Sequence, residues 1–264
     1  MNRRSFLAAS SSGVAALGVG ATDAAAQPSG KKTFLVAHGA WSAGWVWKKM
    51  HPLMAAAGHR LVTPTYTGLG EREHLANPSI DLETHIQDML GVIKFEQLED
   101  FILIGHSYGG MVATGVADRV PERISRLIYL DAFVPKDGQA MVDLLGADAA
   151  ARLREGVKNG DGWRVAPSAI PPDTSAEDVK WIHGLRLPQP LKTLETPVRL
   201  RHGDTRIPRS YVYYTRIGPG DPFHTFAARA KAEHWDYHEL EASHSAHVTA
   251  PQPLMTLLHS IVSA

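Results

Sequence analysis

The sequence predicts an α/β fold built on a doubly wound, mainly parallel sheet with a small helical cap insertion. Three observations lead there. Short β-rich apolar runs alternate with segments of helical spacing along most of the chain. One run, Phe101 to Ile104, enters the turn Gly105-His106-Ser107-Tyr108-Gly109-Gly110 and leaves it as a helical segment, Met111 to Val120. The alternation then breaks from Phe133 to about Val198, where prolines and helical fragments crowd together, and this stretch reads as an insertion over the sheet edge.

The first 26 residues stand apart. Arg3 and Arg4 precede Ser5-Phe6-Leu7, a Gly/Ala-rich apolar stretch follows, and Ala24-Ala25-Ala26 offers a small-residue cleavage site. Residues 1–26 are therefore expected to be a Tat-type export signal, with the mature domain, 27–264, periplasmic or secreted. The apolar stretch is too short and weak for a membrane anchor. The absence of cysteine suits an exported protein that needs no disulfide.

From Thr33 the elements follow in turn. Thr33 to His38 reads as the first strand and Trp45 to Ala57 as a helix stopped by Gly58. Arg60 to Thr65 is a second strand. Asp81 to Ile93 is a helix with Asp81 as N-cap and Glu83, His85 and Asp88 on its solvent side. Ser125 to Leu130 is a strand ending in Asp131. After the insertion come a strand Ser210 to Tyr214, a helix Pro222 to Ala232, a strand Trp235 to Leu240 and a last helix Pro253 to Val262. Gly68-Leu69-Gly70 lacks the third glycine and the helix opening of a dinucleotide site. Lys+Arg and Asp+Glu both number 27, so charge gives no case for a nucleic-acid partner or an anionic membrane.

The chemistry gathers at strand ends, where ligands of such sheets bind. A G-x-S-x-G turn between strand and helix holds its serine exposed, and the glycines flanking Ser107 sit where a Cβ would clash. Ser107, Asp131 and His244 then follow in the order nucleophile, acid, base. Serine needs a base to remove its proton, and histidine serves best when a carboxylate fixes its tautomer. His247 competes with His244, which comes sooner after its strand. Asp221 competes with Asp131, but its place before Pro222 resembles a helix cap. The oxyanion donors are expected to be the N–H groups of Tyr108 and Ala40. Trp41, Phe133 and Trp181 are expected to line an apolar or aromatic substrate site. No metal or other cofactor is expected: His244 and His247 have no third ligand of matching spacing.

"FLVAHGAWSAGWVWKKMHPLMAAAGHRLVTPTYTGLGER", "GHSYGG", "YLDAFVP" and "ASHSAHVTAP" together resemble the α/β-hydrolase superfamily. Within it they are similar to the branch of plant methylesterases and hydroxynitrile lyases and bacterial esterases of the carbendazim-hydrolysing type. The resemblance implies a carboxylesterase-like serine hydrolase acting on a small-molecule ester. It assigns Ser107 as nucleophile, His244 as base, and Ala40 and Tyr108 as oxyanion donors. Plant members place the acid after the next-to-last strand, here "YVYYTRIGPGDPF". The lyases generally carry threonine at the position of Gly39 and lysine at that of Ser245, which disfavours lyase chemistry. A non-catalytic small-molecule binder of the same fold is the other alternative, and such binders tend to lose the histidine.

Overall fold

The computed structural model describes residues 30–216, 218 and 220–263. The expected export signal, residues 1–26, lies outside them. The apolar runs form strands β1 (Thr33–Ala37), β2 (Arg60–Val62), β3 (Phe101–His106) and β4 (Ile124–Leu130). A short antiparallel pair, β5 (Arg164–Val165) and β6 (Gln189–Pro190), precedes β7 (Arg209–Tyr214) and β8 (Asp236–Leu240). Six strands form one sheet in the order β2-β1-β3-β4-β7-β8. Every pairing in it is parallel.

The helices are α1 (Met50–Ala56), α2 (Leu82–Phe95), α3 (Gly109–Arg119), α4 (Met141–Leu145), α5 (Ala147–Lys158) and α6 (Ala176–His183). They continue as α7 (Lys192–Glu195), α8 (His224–Ala232), α9 (Ala246–Thr249) and α10 (Pro251–Ser263). Alternate residues of β3 supply two cores. Phe101 and Leu103 pack with α2, α3 and α8, while Ile102 and Ile104 pack with α1 and α10. A strand covered on both faces has no polar side to show, which is why β3 reads as an unbroken apolar run. The chain leaves the sheet after β4 and rejoins it at β7. Between them lie α4 to α7 and the β5–β6 pair, whose Val142, Val157, Val165 and Leu194 share one buried core with α2 and α3. Lys49 ties α6 to the body through both carboxylate oxygens of Asp178, at 2.6 and 2.7 Å. Among the described residues no helix is long and apolar enough to cross a membrane.

Two local expectations are corrected. The helix expected from Trp45 to Ala57 is divided into a 3-10 turn, Gly44–Trp47, and α1. Pro52 lacks the N–H that a continuous helix would donate to the carbonyl of Lys48, so proline is tolerated only in the first turn of a new helix. His85 and Asp88 do not face solvent. The loop after β2 folds over α2, and His85 is fully buried beneath it. Its Nε2–H donates to the Thr67 carbonyl at 3.2 Å, leaving Nδ1 to accept from the Tyr108 hydroxyl at 2.9 Å. Asp88 accepts from the Thr67 N–H, the Thr67 hydroxyl and Arg72. Asp81 does cap α2, accepting the Thr84 N–H at 3.0 Å.

Candidate active site

Ser107 sits between β3 and α3 with φ of +55°. That left-handed conformation costs a non-glycine residue about 1–2 kcal/mol. Neighbouring backbone holds it there. The Ser107 N–H donates to the Leu130 carbonyl at 3.3 Å, and its own carbonyl accepts the N–H groups of Gly110 and Phe133 at 3.0 and 3.2 Å. The turn closes only on glycine. A Cβ on Gly109 would lie 2.0 Å from the Ala37 carbonyl oxygen, and one on Gly105 would lie 2.9 Å from the Ala113 Cβ.

The loop after β8 brings His244 to Ser107. Its Nδ1 lies 2.6 Å from Asp131 Oδ2, and its Nε2 lies 2.9 Å from Ser107 Oγ. A carboxylate cannot donate, so the ring proton belongs on Nδ1, and Nε2 is left to accept from the serine hydroxyl. Asp131 follows β4 directly, at φ +45° and fully buried. Its Oδ1 accepts the Tyr214 N–H at 3.4 Å and its own N–H donates to the Val212 carbonyl at 2.8 Å. Burial pushes the Asp131 carboxyl upward. Burial also pushes His244 down to about 4, against the raising field of Asp221. The imidazole is thus uncharged at neutral pH, the form a base requires.

The ring of His244 lies between two others. Phe223 stacks on it at 4.9 Å and 12°, and His106 lies 4.8 Å away. His106 Nε2–H also donates to the His244 backbone carbonyl at 2.8 Å, fixing the loop from beneath. His247 has a different place. It is buried, with its ring stacked on Trp47 at 4.6 Å and 12°, and its Nδ1 has no hydrogen-bond partner among the described residues. Asp221 accepts from the Tyr213 hydroxyl and the Phe223 N–H, each at 2.7 Å, and so organises the entry to α8.

The loop after β1 lies against the serine turn. A Cβ on Gly39 would come 2.9 Å from His106 Nδ1 and 3.2 Å from the Ser107 Cβ. His38 is buried beside it. Its Nδ1–H donates to the Gly39 carbonyl at 2.8 Å and its Nε2 accepts the Tyr66 N–H at 3.3 Å. Burial lowers His38, His85 and His106 each to about 3, so all three are neutral rings. Tyr108 directly precedes α3, and Ala40 follows Gly39; both are buried. Trp41 is half-buried and bonded to the β5–β6 pair. Phe133 is buried against Phe223 and Phe226. Trp181 packs edge-on to Trp45 with the Lys48 ammonium over its ring. Among the described residues, no group of three or more metal-ligating side chains gathers.

Sequence reasoning overlooked His106, Phe223 and Gln189. His106 carried a signal, since it lies inside the "GHSYGG" turn. Phe223 and Gln189 carried none, because only the closed fold brings them to this edge.

Residues 34–256 match the model of the Alpha/beta hydrolase family, and the chain belongs to that family. It is 34% identical over 260 residues to the Carbendazim hydrolyzing esterase of Nocardioides sp. (strain SG-4G), covering 86% of this chain and 98% of that one. Methylesterase 8 of Arabidopsis thaliana is 30% identical over 115 residues, 40% of this chain and 39% of the relative. An extracellular alpha/beta-hydrolase from a Paenibacillus species, described as sharing structural and functional homology with Tobacco Salicylic Acid Binding Protein 2, superposes with a TM-score of 0.77. The identity there is 25%, over 87% of this chain and 98% of that one. Within the family the chain is a carboxylesterase-like hydrolase.

Proposed function

We propose that this protein is an exported serine esterase that cleaves a small apolar or aromatic carboxylic ester through Ser107, His244 and Asp131. The observation that carries the reading is the unbroken line of hydrogen bonds from Asp131 to His244 to Ser107, at 2.6 and 2.9 Å. His244 takes the hydroxyl proton as Ser107 Oγ attacks the ester carbonyl. The carbonyl oxygen becomes an oxyanion, received by the N–H groups of Ala40 and Tyr108; each such donor is worth ~10²–10³ in rate. The ester C–O bond then breaks, and the imidazolium returns its proton to the departing alkoxide. Water, activated by the same ring, attacks the acyl-serine and releases the acid and Ser107.

Residues 133–198 are the cap of this site, and Trp41 and Phe133 contribute apolar walls. Export rests on Arg3-Arg4 and the Ala24-Ala25-Ala26 segment, and the extracellular relative supports it. Gly39 and Ser245 stand where the lyases generally carry threonine and lysine, which speaks against lyase chemistry. The test is Ser107→Ala on the mature chain. Turnover of p-nitrophenyl acetate should fall by roughly 10⁴-fold or more with folding intact, and a fluorophosphonate should label the wild type alone. Retained activity in the variant would refute the reading.

A further inference from the structure

Trp41 is the residue after Ala40, and the backbone at Trp41 has φ of +58°. A bulky side chain has no intrinsic preference for that region and holds it only where its surroundings impose it. Here all three polar groups of Trp41 are held by the insertion between β4 and β7. The Trp41 N–H donates to Gln189 Oε1 at 3.0 Å. Its carbonyl accepts the Leu187 N–H at 3.3 Å. Its indole N–H donates to the Val165 carbonyl at 3.0 Å. Val165 and Gln189 are themselves paired across β5 and β6. The turn that carries Ala40 is thus shaped by residues more than a hundred positions away in sequence.

Gln189 is the one side chain among these three partners, and it is fully buried. Its amide has a single workable orientation. The oxygen must face the Trp41 N–H, which can only donate. The Nε2–H donates to Thr193 Oγ1 at 2.8 Å, and the Thr193 hydroxyl is committed to the Pro190 carbonyl at 2.7 Å. The chain from Pro190 through Thr193 and Gln189 to Trp41 is therefore linked throughout by hydrogen bonds of 2.7 to 3.0 Å. Such a buried chain fixes geometry, because a member that moves breaks a buried hydrogen bond.

We propose that Gln189 is a positioning residue for the esterase reaction: by accepting from the Trp41 N–H it pins the Ala40–Trp41 peptide, and through it the adjoining peptide whose Ala40 N–H faces the oxyanion. This rests on the reading of Ser107, His244 and Ala40 given above. Oxyanion donors act in the transition state more than in the bound ester, so the loss should fall on kcat and spare KM.

The experiment compares wild type, Q189L and Q189E as full mature chains, on p-nitrophenyl acetate, with thermal melts alongside. Q189L should keep a cooperative melt and lose ~10–100-fold in kcat, a fraction of what deleting a donor outright costs, with KM within about threefold. Q189E gives a readout that packing alone does not. A carboxyl in either protonation state keeps an oxygen for the Trp41 N–H, so Q189E retains the contact that Q189L removes. Q189E should therefore stay within about threefold of wild-type kcat and recover most of what Q189L loses. Wild-type kcat in Q189L, a loss confined to KM, or a Q189E kcat as low as that of Q189L would each overturn the proposal. Should Q189L fail to fold, Q189M, which keeps the length of the side chain but not its oxygen, takes its place with the same expected loss. A wild type that neither turns over ester nor takes fluorophosphonate on Ser107 would instead sink the underlying esterase reading.

Discussion

Asp131 and Asp221 follow neighbouring strands, β4 and β7, yet they occupy different ground. Asp131 is the first residue beyond its strand, fully buried, with backbone bonds to β7 on one side and His244 on the other. Asp221 lies seven residues beyond Tyr214, half-exposed, and spends both carboxylate oxygens on Tyr213 and Phe223. A carboxylate at a strand end is aimed by the sheet itself, so its direction is as rigid as the strand. A carboxylate in a loop goes to the nearest open N–H. The distance from the sheet separates the surroundings of the two carboxylates.

Substitution can break that contrast. Asp131→Asn should lower kcat by ~10³–10⁴, because an amide facing Nδ1 favours the wrong tautomer of His244. If Asp221→Asn is the crippled variant and Asp131→Asn is near normal, the acid lies after β7. A gentler probe is the acid limb of kcat/KM, read from initial rates after a pH jump from neutral buffer. Burial lowers His244, so kcat/KM should stay level from neutral pH to below the ordinary histidine range and fall only in more acid buffer as the ring protonates. A midpoint at the ordinary histidine value of about 6.5 would mean a solvated ring. The smallest effect belongs to Asp221→Asn. Asparagine still accepts the Phe223 N–H, so kcat should change by less than about fivefold. Its acid limb should move to lower pH, because the field of Asp221 raises His244.

The sheet and the Ser107 turn were legible because they rest on short-range rules. Gly105 and Gly109 flank Ser107 for a steric reason that two glycines in a strand-to-helix turn announce. That Asp131 and His244 come to the edge where Ser107 lies was legible from their places after "RLIYL" and after the last strand. His85 was misjudged because helical periodicity says which residues share a face but not what later covers it. The loop after β2 covers it here. Gln189 was invisible for a stronger reason. It stands between Pro188 and Pro190 in a stretch with no period, and its partner Trp41 is 148 positions away. Long-range polar pairs leave no local pattern.

The contact between Gly109 and Ala37 bears on how the serine turn is held. With backbone against backbone, the start of α3 cannot slide or tilt along β1 without a clash. The serine turn is therefore seated on β1 by main-chain packing that no side chain at position 109 would allow. The region between β4 and β7 is seated as well: Val142, Val157 and Leu194 share one buried core with α2 and α3, and the Leu187 N–H bonds the Trp41 carbonyl. Main-chain contacts thus set where the serine turn and the Trp41 turn lie, and side chains are left to vary the shape of what lies between them.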